Sequence, residues 1–480
     1  MPHVDTPQSR VFAGMARGDI TPPVGIYHRM WGAATHDKAT GVHRPLTATA
    51  LWLEPAGGSA TDQARLLVGL DHCILDHSEV QNIRQAASAA SGIAPENVHV
   101  ALSHTHGAGF MARSRANFPG GDLIGPYLDV VAEEVALLAV EAKEHRTPSA
   151  IVFGTGRCSL AAHRDFHDEV AGHFVCGFNP SGPADDTLTV ARIVGEGGKT
   201  LGTLVNYACH PTTLAWDNTA ISPDWVGAMR EVVENATGGP CLFLQGASGD
   251  LGPREGYVGD HSLADRNGRQ VAYAAMATLE ALPQPGTRYE YAGPVLSGCW
   301  IGTWKHVPAS DARASSVWHW EEMTVELPYR ADLPTMEQTL ANREQWQHKE
   351  SEARSGGDEK LARTCRANVE QMTRQIGRLE TLPPGRNYPL RLTVGRVGDA
   401  LWVLAPGELY HVFQTSLRQQ LAPRTVIVST VTDDWQPGYL PAAGSYGKGI
   451  YQDIISPLAA GCLETLLSAV ARRLSELASL

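Results

Sequence analysis

The sequence predicts an α/β fold built on a largely buried sheet. Apolar runs of strand length recur along the chain, and helical patterns lie between them. Glycine (48) and proline (30) are spread throughout, so many turns join many short elements. No repeat period and no low-complexity tract is visible.

The strand-like runs are 48–55, 64–71, 97–104, 150–156, 200–210, 240–246, 400–408 and 424–434. Helical patterns occupy 76–91, 126–146, 223–236, 262–281, 409–421 and 454–477. One segment, 334–382, is polar, charged and helical, and is broken at Ser355-Gly356-Gly357-Asp358. It predicts a helical hairpin whose second arm is capped by Asp358. Its composition suits a solvated surface insertion; a lid or an oligomer contact are the other readings.

The 480 residues carry 39 Lys+Arg and 51 Asp+Glu, a net charge of −12. An acidic chain lacks the basic excess of a nucleic-acid footprint. A prior of about 150 residues per domain gives roughly three domains, a prior that large α/β enzymes often break. No run approaches the ~18 apolar residues of a spanning helix. The N-terminus has no basic stretch followed by an apolar run, so a secretory signal is not expected. The eight cysteines are scattered without a CxxC pair. They are expected to be reduced, buried, structural thiols, and the expected location is cytoplasmic.

Ligands gather beyond the carboxyl ends of strands in open α/β sheets. Four predicted strands end in polar residues there. The first runs into Ser103-His104-Thr105-His106-Gly107, the second into Cys209-His210-Pro211-Thr212. The third runs into Pro406-Gly407-Glu408, and the fourth into Asp433-Asp434 and then Gly438-Tyr439. If the extended conformation continues, His104 and His106 point to one side. HxH is a common way to offer nitrogen to zinc, and a catalytic zinc wants three protein ligands and an open position. Alone, His210 reads as a satisfied core histidine, and Glu408 as a carboxylate favoured by a helix N-terminus. There is no HExxH, P-loop, GxGxxG or GxSxG. Gly246-Ala247-Ser248-Gly249-Asp250 is a glycine-rich turn without the nucleophile-elbow pattern, so Ser248 is a weak nucleophile candidate.

In order along the chain, these motifs resemble the catalytic region of the neutral/alkaline non-lysosomal ceramidases. The opening from Gly14 through Arg17, Asp19, Thr21 and Pro22 is similar to that family's start, as is Gly41-Val42-His43. The His104/His106 segment, Asn206 to Thr212, Ser222-Pro223-Asp224, Gly249 to Pro253, Pro406 to Glu408 and Gly438-Tyr439 follow in family order, from about residue 12 to 455. The resemblance implies a layered mixed-sheet catalytic domain over 10–480, carrying the 334–382 hairpin as an insertion. It implies a zinc-dependent amidohydrolase acting on a small-molecule substrate. The zinc ligands would be His104, His210, Glu408 and Tyr439, with His106 beside the metal. Arg164 resembles the family's active-site arginine, and Tyr451 stands at the spacing of its second active-site tyrosine. Three departures are expected to matter. The serine of the family's G-D-x-S-P motif is Gly252 here, the C-terminal immunoglobulin-like domain is not expected, and neither is an export signal.

On this reading, metal-activated water attacks an amide or ester carbonyl. Arg164 and Tyr451 stabilise the oxyanion, and His106 moves protons. Asp71 and Asp224 are candidates to orient the imidazoles. Each has an ordinary rival. Arg164 could be an ion-pair partner, Tyr439 a turn residue against Trp435, Tyr451 a rim aromatic, and the aspartates caps. Other readings are a metal-assisted hydrolase of a lactone, ester or sugar derivative, to which the 11 tryptophans would be suited, and a non-catalytic ligand-binding relative. A homo-oligomer is left open.

Overall fold

Strand residues point alternately to two faces, and here both faces are apolar and both are covered. The computed structural model describes residues 1–57, 63–309 and 314–480. Eight strands form its main sheet: β1 (Gln8–Asp19), β2 (Thr47–Pro55), β3 (Arg65–Leu70), β4 (Val98–Leu102), β5 (Thr147–Arg157), β6 (Thr187–Gly195), β7 (Thr200–Tyr207) and β8 (Cys241–Gln245). Their order is β8-β7-β6-β5-β1-β2-β3-β4. The outer pairs β7/β8 and β3/β4 are parallel and the inner pairs antiparallel, so the sheet is mixed. A second sheet has the order β9 (Trp318–Pro328), β10 (Asn387–Val397), β11 (Ala400–Leu404) and β12 (Thr425–Ser429), with only β11/β12 parallel.

The two sheets pack face to face. Leu51 and Leu53 of β2 join Trp402, Leu404 and Ile427 in one apolar cluster, whereas Trp52 between them faces the opposite side. That outer side is covered by α1 (His77–Ser91) and α2 (Ile124–Glu144) at one end. At the other end it is covered by α3 (Trp225–Thr237) and α4 (His261–Glu280). The second sheet's outer face carries α7 (Val412–Gln420) and α9 (Cys462–Ala478). The result is a helix–sheet–sheet–helix stack.

Every predicted strand and helix is present, with two kinds of difference. Predicted strands overrun: β4, β7, β11 and β12 stop at Leu102, Tyr207, Leu404 and Ser429, and the excess residues are loops except Glu408, which starts a two-residue strand with Leu409. The last predicted helix divides at Pro457 into α8 (Tyr451–Ile455) and α9. Strands β1, β6, β9 and β10 were not expected. In β1 the glycines disguise the strand: a Cβ on Gly14 would stand 2.0 Å from the Ala142 carbonyl oxygen, so α2 packs directly on its backbone. Among the described residues the cysteines are all free; Cys176 and Cys299 are exposed, contrary to the expectation of burial, and the rest are buried. No helix among the described residues is long and apolar enough to cross a membrane.

The hairpin forms as α5 (Met336–Ser355) and α6 (Glu359–Thr381). Thr335 and Gln338 make a capping box, and Asp358 caps α6 by accepting from the Leu361 amide at 2.9 Å. It is not simply a solvated insertion. Glu370 of α6 takes a bidentate bond from buried Arg115 (2.7 and 3.2 Å), and also accepts from Arg374 Nε at 2.9 Å. Arg374 further donates to the Met30 carbonyl at 2.5 Å. Glu370 is thus the charged anchor of the hairpin, alongside the Arg374–Met30 bond and bonds from Gln436 to Arg378 and Thr381. Glu370→Ala leaves Arg115 buried and unpaired, at a cost of about 3–5 kcal/mol. The expected result is a lower urea midpoint, or selective proteolysis within 336–381 when the hairpin lifts as a unit. Wild-type behaviour in both assays would contradict the tether.

Candidate metal centre

The overrunning segments of β4, β7 and β11 meet at one end of the stack. Backbone bonds across the two sheets hold them there. The Asp433 amide donates to the Val100 carbonyl (2.8 Å), Thr430 to Gln245 (2.8 Å) and Gly249 to Leu409 (2.8 Å). Gly407 of the PGE turn has φ 74°, and a Cβ there would lie 2.7 Å from the Gly438 carbonyl. Glycine therefore lets Glu408–Leu409 pair in parallel with Tyr439–Leu440, Glu408 opposite Tyr439.

Three ligand atoms converge. His104 Nε2 lies 3.1 Å from His210 Nε2 and 3.2 Å from Glu408 Oε2, and His210 Nε2 lies 2.9 Å from that oxygen. The opposite ring nitrogens fix the tautomers. His104 Nδ1 donates to the Cys73 carbonyl at 2.8 Å. His210 Nδ1 donates to the carbonyls of Ser248 (2.7 Å) and Leu251 (3.1 Å). Carbonyl oxygens only accept, so in neutral rings both protons sit on Nδ1 and both Nε2 lone pairs face inward. The Glu408 carboxylate adds a third acceptor, and the three have no hydrogen to share. Donors about 2.0–2.1 Å from a tetrahedral zinc lie about 3.3 Å apart, close to these spacings. The residues fit a divalent cation.

The electrostatics make the same demand. Burial and the nearby Arg164 guanidinium lower His210 to about 4, keeping it neutral. Burial opposes charge on Glu408, but the two histidines beside it hold its carboxyl well below the usual range. For His104 burial opposes charge, yet Cys73 and Glu408 push its pKa well above the ordinary value. That direction reports a point that wants positive charge.

His104 and His106 do not continue the strand. His104 has φ 65°, a left-handed conformation that is uncommon outside glycine, and His106 starts a 3₁₀ turn ending at Ala108. The condition for both imidazoles to point to one side, a continuing strand, is not met; their rings stand at 86°, centroids 5.2 Å apart. His106 lies outside the converging triad. Both its ring nitrogens are buried without a partner, and its ring lies 5.0 Å from that of Trp31. Burial, then His104 and His210, lower it well below its ordinary value.

Tyr439 bonds Glu408 through its phenol, whose pKa burial raises well above the ordinary value, and its ring lies nearly parallel to His210. Arg164 spans the other side of that ring at 5.3 Å and donates to the Gly249 carbonyl at 2.7 Å. Tyr451 stands edge-on to Tyr439 at 5.9 Å. All seven sequence-derived residues are therefore drawn to one cluster.

Asp71 and Asp224 do not orient the imidazoles. Asp71 is bonded to Arg230 (2.7 and 2.8 Å) and to Thr47. Asp224 caps α3, accepting from the Trp225 and Leu214 amides. Backbone carbonyls hold the rings instead, which no side-chain motif announces. Ser248 contributes through its carbonyl, and its hydroxyl accepts from Gln245 at 2.6 Å. Three further residues escaped sequence reading: Trp31, and Arg374 and Arg378 of α6. Only the i, i+4 spacing of the two arginines, with Glu370 a turn earlier, hinted at a shared helix face.

No family model and no curated protein sequence matches the chain. Among solved structures it is similar to the neutral ceramidase from Pseudomonas aeruginosa, with a TM-score of 0.66 and 15% identity over 97% of this chain and 74% of that one. It is also similar to a structure described as ceramidase complexed with C2, with a TM-score of 0.64 and 16% identity over 98% and 76%. The fold is that of the neutral ceramidase catalytic region.

Two outcomes follow from this geometry. His104→Ala removes a donor itself rather than a group behind one, so metal affinity falls by more than the about 10–100-fold that outer partners cost; equilibrium dialysis with zinc checks this, and unchanged affinity would contradict the ligand set. At position 252 a Cβ would meet Tyr257 Oη at 3.5 Å, Thr212 Oγ1 at 3.7 Å and Arg164 Cδ at 3.9 Å, ordinary contacts all. Gly252→Ser is expected to fold with a stability change under about 1 kcal/mol, read from its thermal midpoint; a large loss would show that the glycine is required for packing.

Proposed function

We propose that residues 10–480 act as one zinc-dependent hydrolase unit that cleaves an amide bond of a small-molecule substrate. The observation that carries the reading is the convergence of His104 Nε2, His210 Nε2 and Glu408 Oε2, three acceptors with no hydrogen between them. These residues would hold the ion, with Tyr439 beside them as a fourth donor. When bound, zinc supplies Lewis acidity toward a carbonyl and lowers the pKa of water towards ~7.

The chain's own residues do the remaining work. The Cys73 and Ser248 carbonyls keep both imidazoles in the ligand tautomer. Arg164 and Tyr451 offer N–H and O–H donors to the negative charge that grows on a substrate carbonyl oxygen. Burial raises the Tyr451 phenol, so it stays protonated and able to donate. His106, neutral and with both nitrogens uncommitted, accepts a proton from attacking water and returns it to the leaving nitrogen. None of these steps uses a serine, so Gly252 is compatible with the route.

One observation favours a second reading. Trp31 meets Trp216 and Tyr257 edge-on at 6.2 and 5.9 Å beside His106, a wall that would suit a cyclic ester or sugar derivative. A panel of amides, lactones and glycosides separates the two. Amide cleavage lost on chelation and restored by zinc is the expected result; lactone or glycoside cleavage alone would move the function to the second reading. Within the amide reading, Tyr451→Phe lowers kcat about 10²–10³-fold with little change in KM. An unchanged kcat would remove Tyr451 from the oxyanion role.

A further inference from the structure

The chain is acidic overall, yet the lip of the metal centre is cationic. Arg374 and Arg378 project from α6 of the hairpin, and Arg164 comes from the opposite side. Burial raises the Tyr451 phenol, and the positive charges of Arg374, Arg378 and Arg164 all act on it in the other direction. Tyr451 itself is 43% exposed, so it stands at the rim of this cluster.

The arginines are short of carboxylates. Arg378 is 7% exposed and makes no ion pair among the described residues. Its Nη1 meets the Gln375 side-chain oxygen, and its guanidinium lies 5.7 Å from the Trp435 ring. Its Nε is buried without a partner, beside Gly438, whose Cβ position lies 3.8 Å away. Arg164 is 3% exposed, and its Nε is likewise buried and unpartnered. Among the described residues its guanidinium makes one hydrogen bond, to the Gly249 carbonyl. Arg374 has to share Glu370 with Arg115. Glu408, whose charge acts on both Arg378 and Arg164, is already engaged by two imidazoles, and the buried Asp165 carboxylate also interacts with Arg164. Arg378 thus has no carboxylate partner among the described residues, and Glu370 is already shared by two guanidinium groups. Desolvated charge is strongly disfavoured unless it is paired, so Arg378, with a buried unpartnered Nε, calls for an incoming anion.

On the hydrolase reading above, we infer that the substrate is a carboxylate-bearing amide, an N-acyl amino acid in its simplest form, whose carboxylate is received by Arg378 with Arg164 and Arg374 around it. A planar guanidinium with its Nε edge free matches a planar carboxylate. The wall of Trp31, Trp216 and Tyr257 beside His106 offers apolar surface to the acyl group. The neutral head of a lipid amide would leave these guanidinium groups unpaired.

The test uses the purified full-length chain and a probe that has no scissile amide. 3-Benzoylpropionate replaces the amide nitrogen of N-benzoylglycine with carbon, and 3-benzoylpropionamide is its uncharged counterpart. Calorimetry is expected to give at least about 100-fold tighter binding of the carboxylate. Arg378→Gln should reduce that preference by at least about 30-fold, and Arg378→Lys should restore part of it. Equal binding of the two probes by the wild-type protein would overturn the inference without any variant, and so would an undiminished preference in folded Arg378→Gln. Inorganic phosphate binding more tightly than the carboxylate would overturn it in favour of a phosphate site. Hydrolysis distinguishes this from failure of the hydrolase reading. If the carboxylate is preferred but neither N-benzoylglycine nor its amide is cleaved, the anion site stands and the amidohydrolase does not. If both are cleaved at equal kcat/KM, the hydrolase stands and the anion site does not.

Discussion

Two imidazole nitrogens and a carboxylate oxygen meet at about 3 Å with no hydrogen to share, and much of the surrounding structure serves to hold them there. Three buried acceptors in mutual contact repel unless a cation joins them. The protein sustains the arrangement with short backbone bonds behind each ring and a left-handed residue at His104. Local strain of this kind persists only where its surroundings over-determine it. Here the surroundings are two sheets whose ends are stitched together by main-chain hydrogen bonds. The four-layer stack is thus the device that brings residues some 300 positions apart in the chain to one point.

The hairpin alters what that point can receive. In composition α5 and α6 are polar and solvent-facing, yet α6 turns one face inward through Glu370, Arg374 and Arg378. Glu370 anchors that face to Arg115, with further bonds from Arg374 to Met30 and from Gln436 to α6, and Arg378 is left without a carboxylate partner among the described residues. The fold is that of the neutral ceramidase catalytic region, and Arg374 and Arg378 reach the site from the hairpin while Arg164 comes from elsewhere in the chain.

Much of this was legible in the sequence, and the parts that were not share a cause. Apolar runs located eight strands, and strand ends located His104, His210 and Glu408, because side-chain type alone reports burial and ligand chemistry. The loop geometry did not follow. HxH suggested two imidazoles on one side of a continuing strand, whereas the strand ends at Leu102, His104 is left-handed and the rings stand nearly perpendicular. Strand β1 was hidden because its glycines record a close helix rather than a turn. Asp71 and Asp224 looked suited to hold the imidazoles, but carbonyls do so, and a carbonyl is present at every residue. Arg378 was invisible because its importance lies in a carboxylate it lacks.

The most direct measurement is zinc K-edge absorption spectroscopy on the purified, zinc-loaded protein. The account predicts a shell of nitrogen and oxygen at about 2.0–2.1 Å with the outer-shell scattering of two imidazoles. That signature should drop to one imidazole in His210→Ala. A sulfur-containing shell would contradict the account, as would a shell without imidazole scattering or a protein that takes up no zinc while remaining folded.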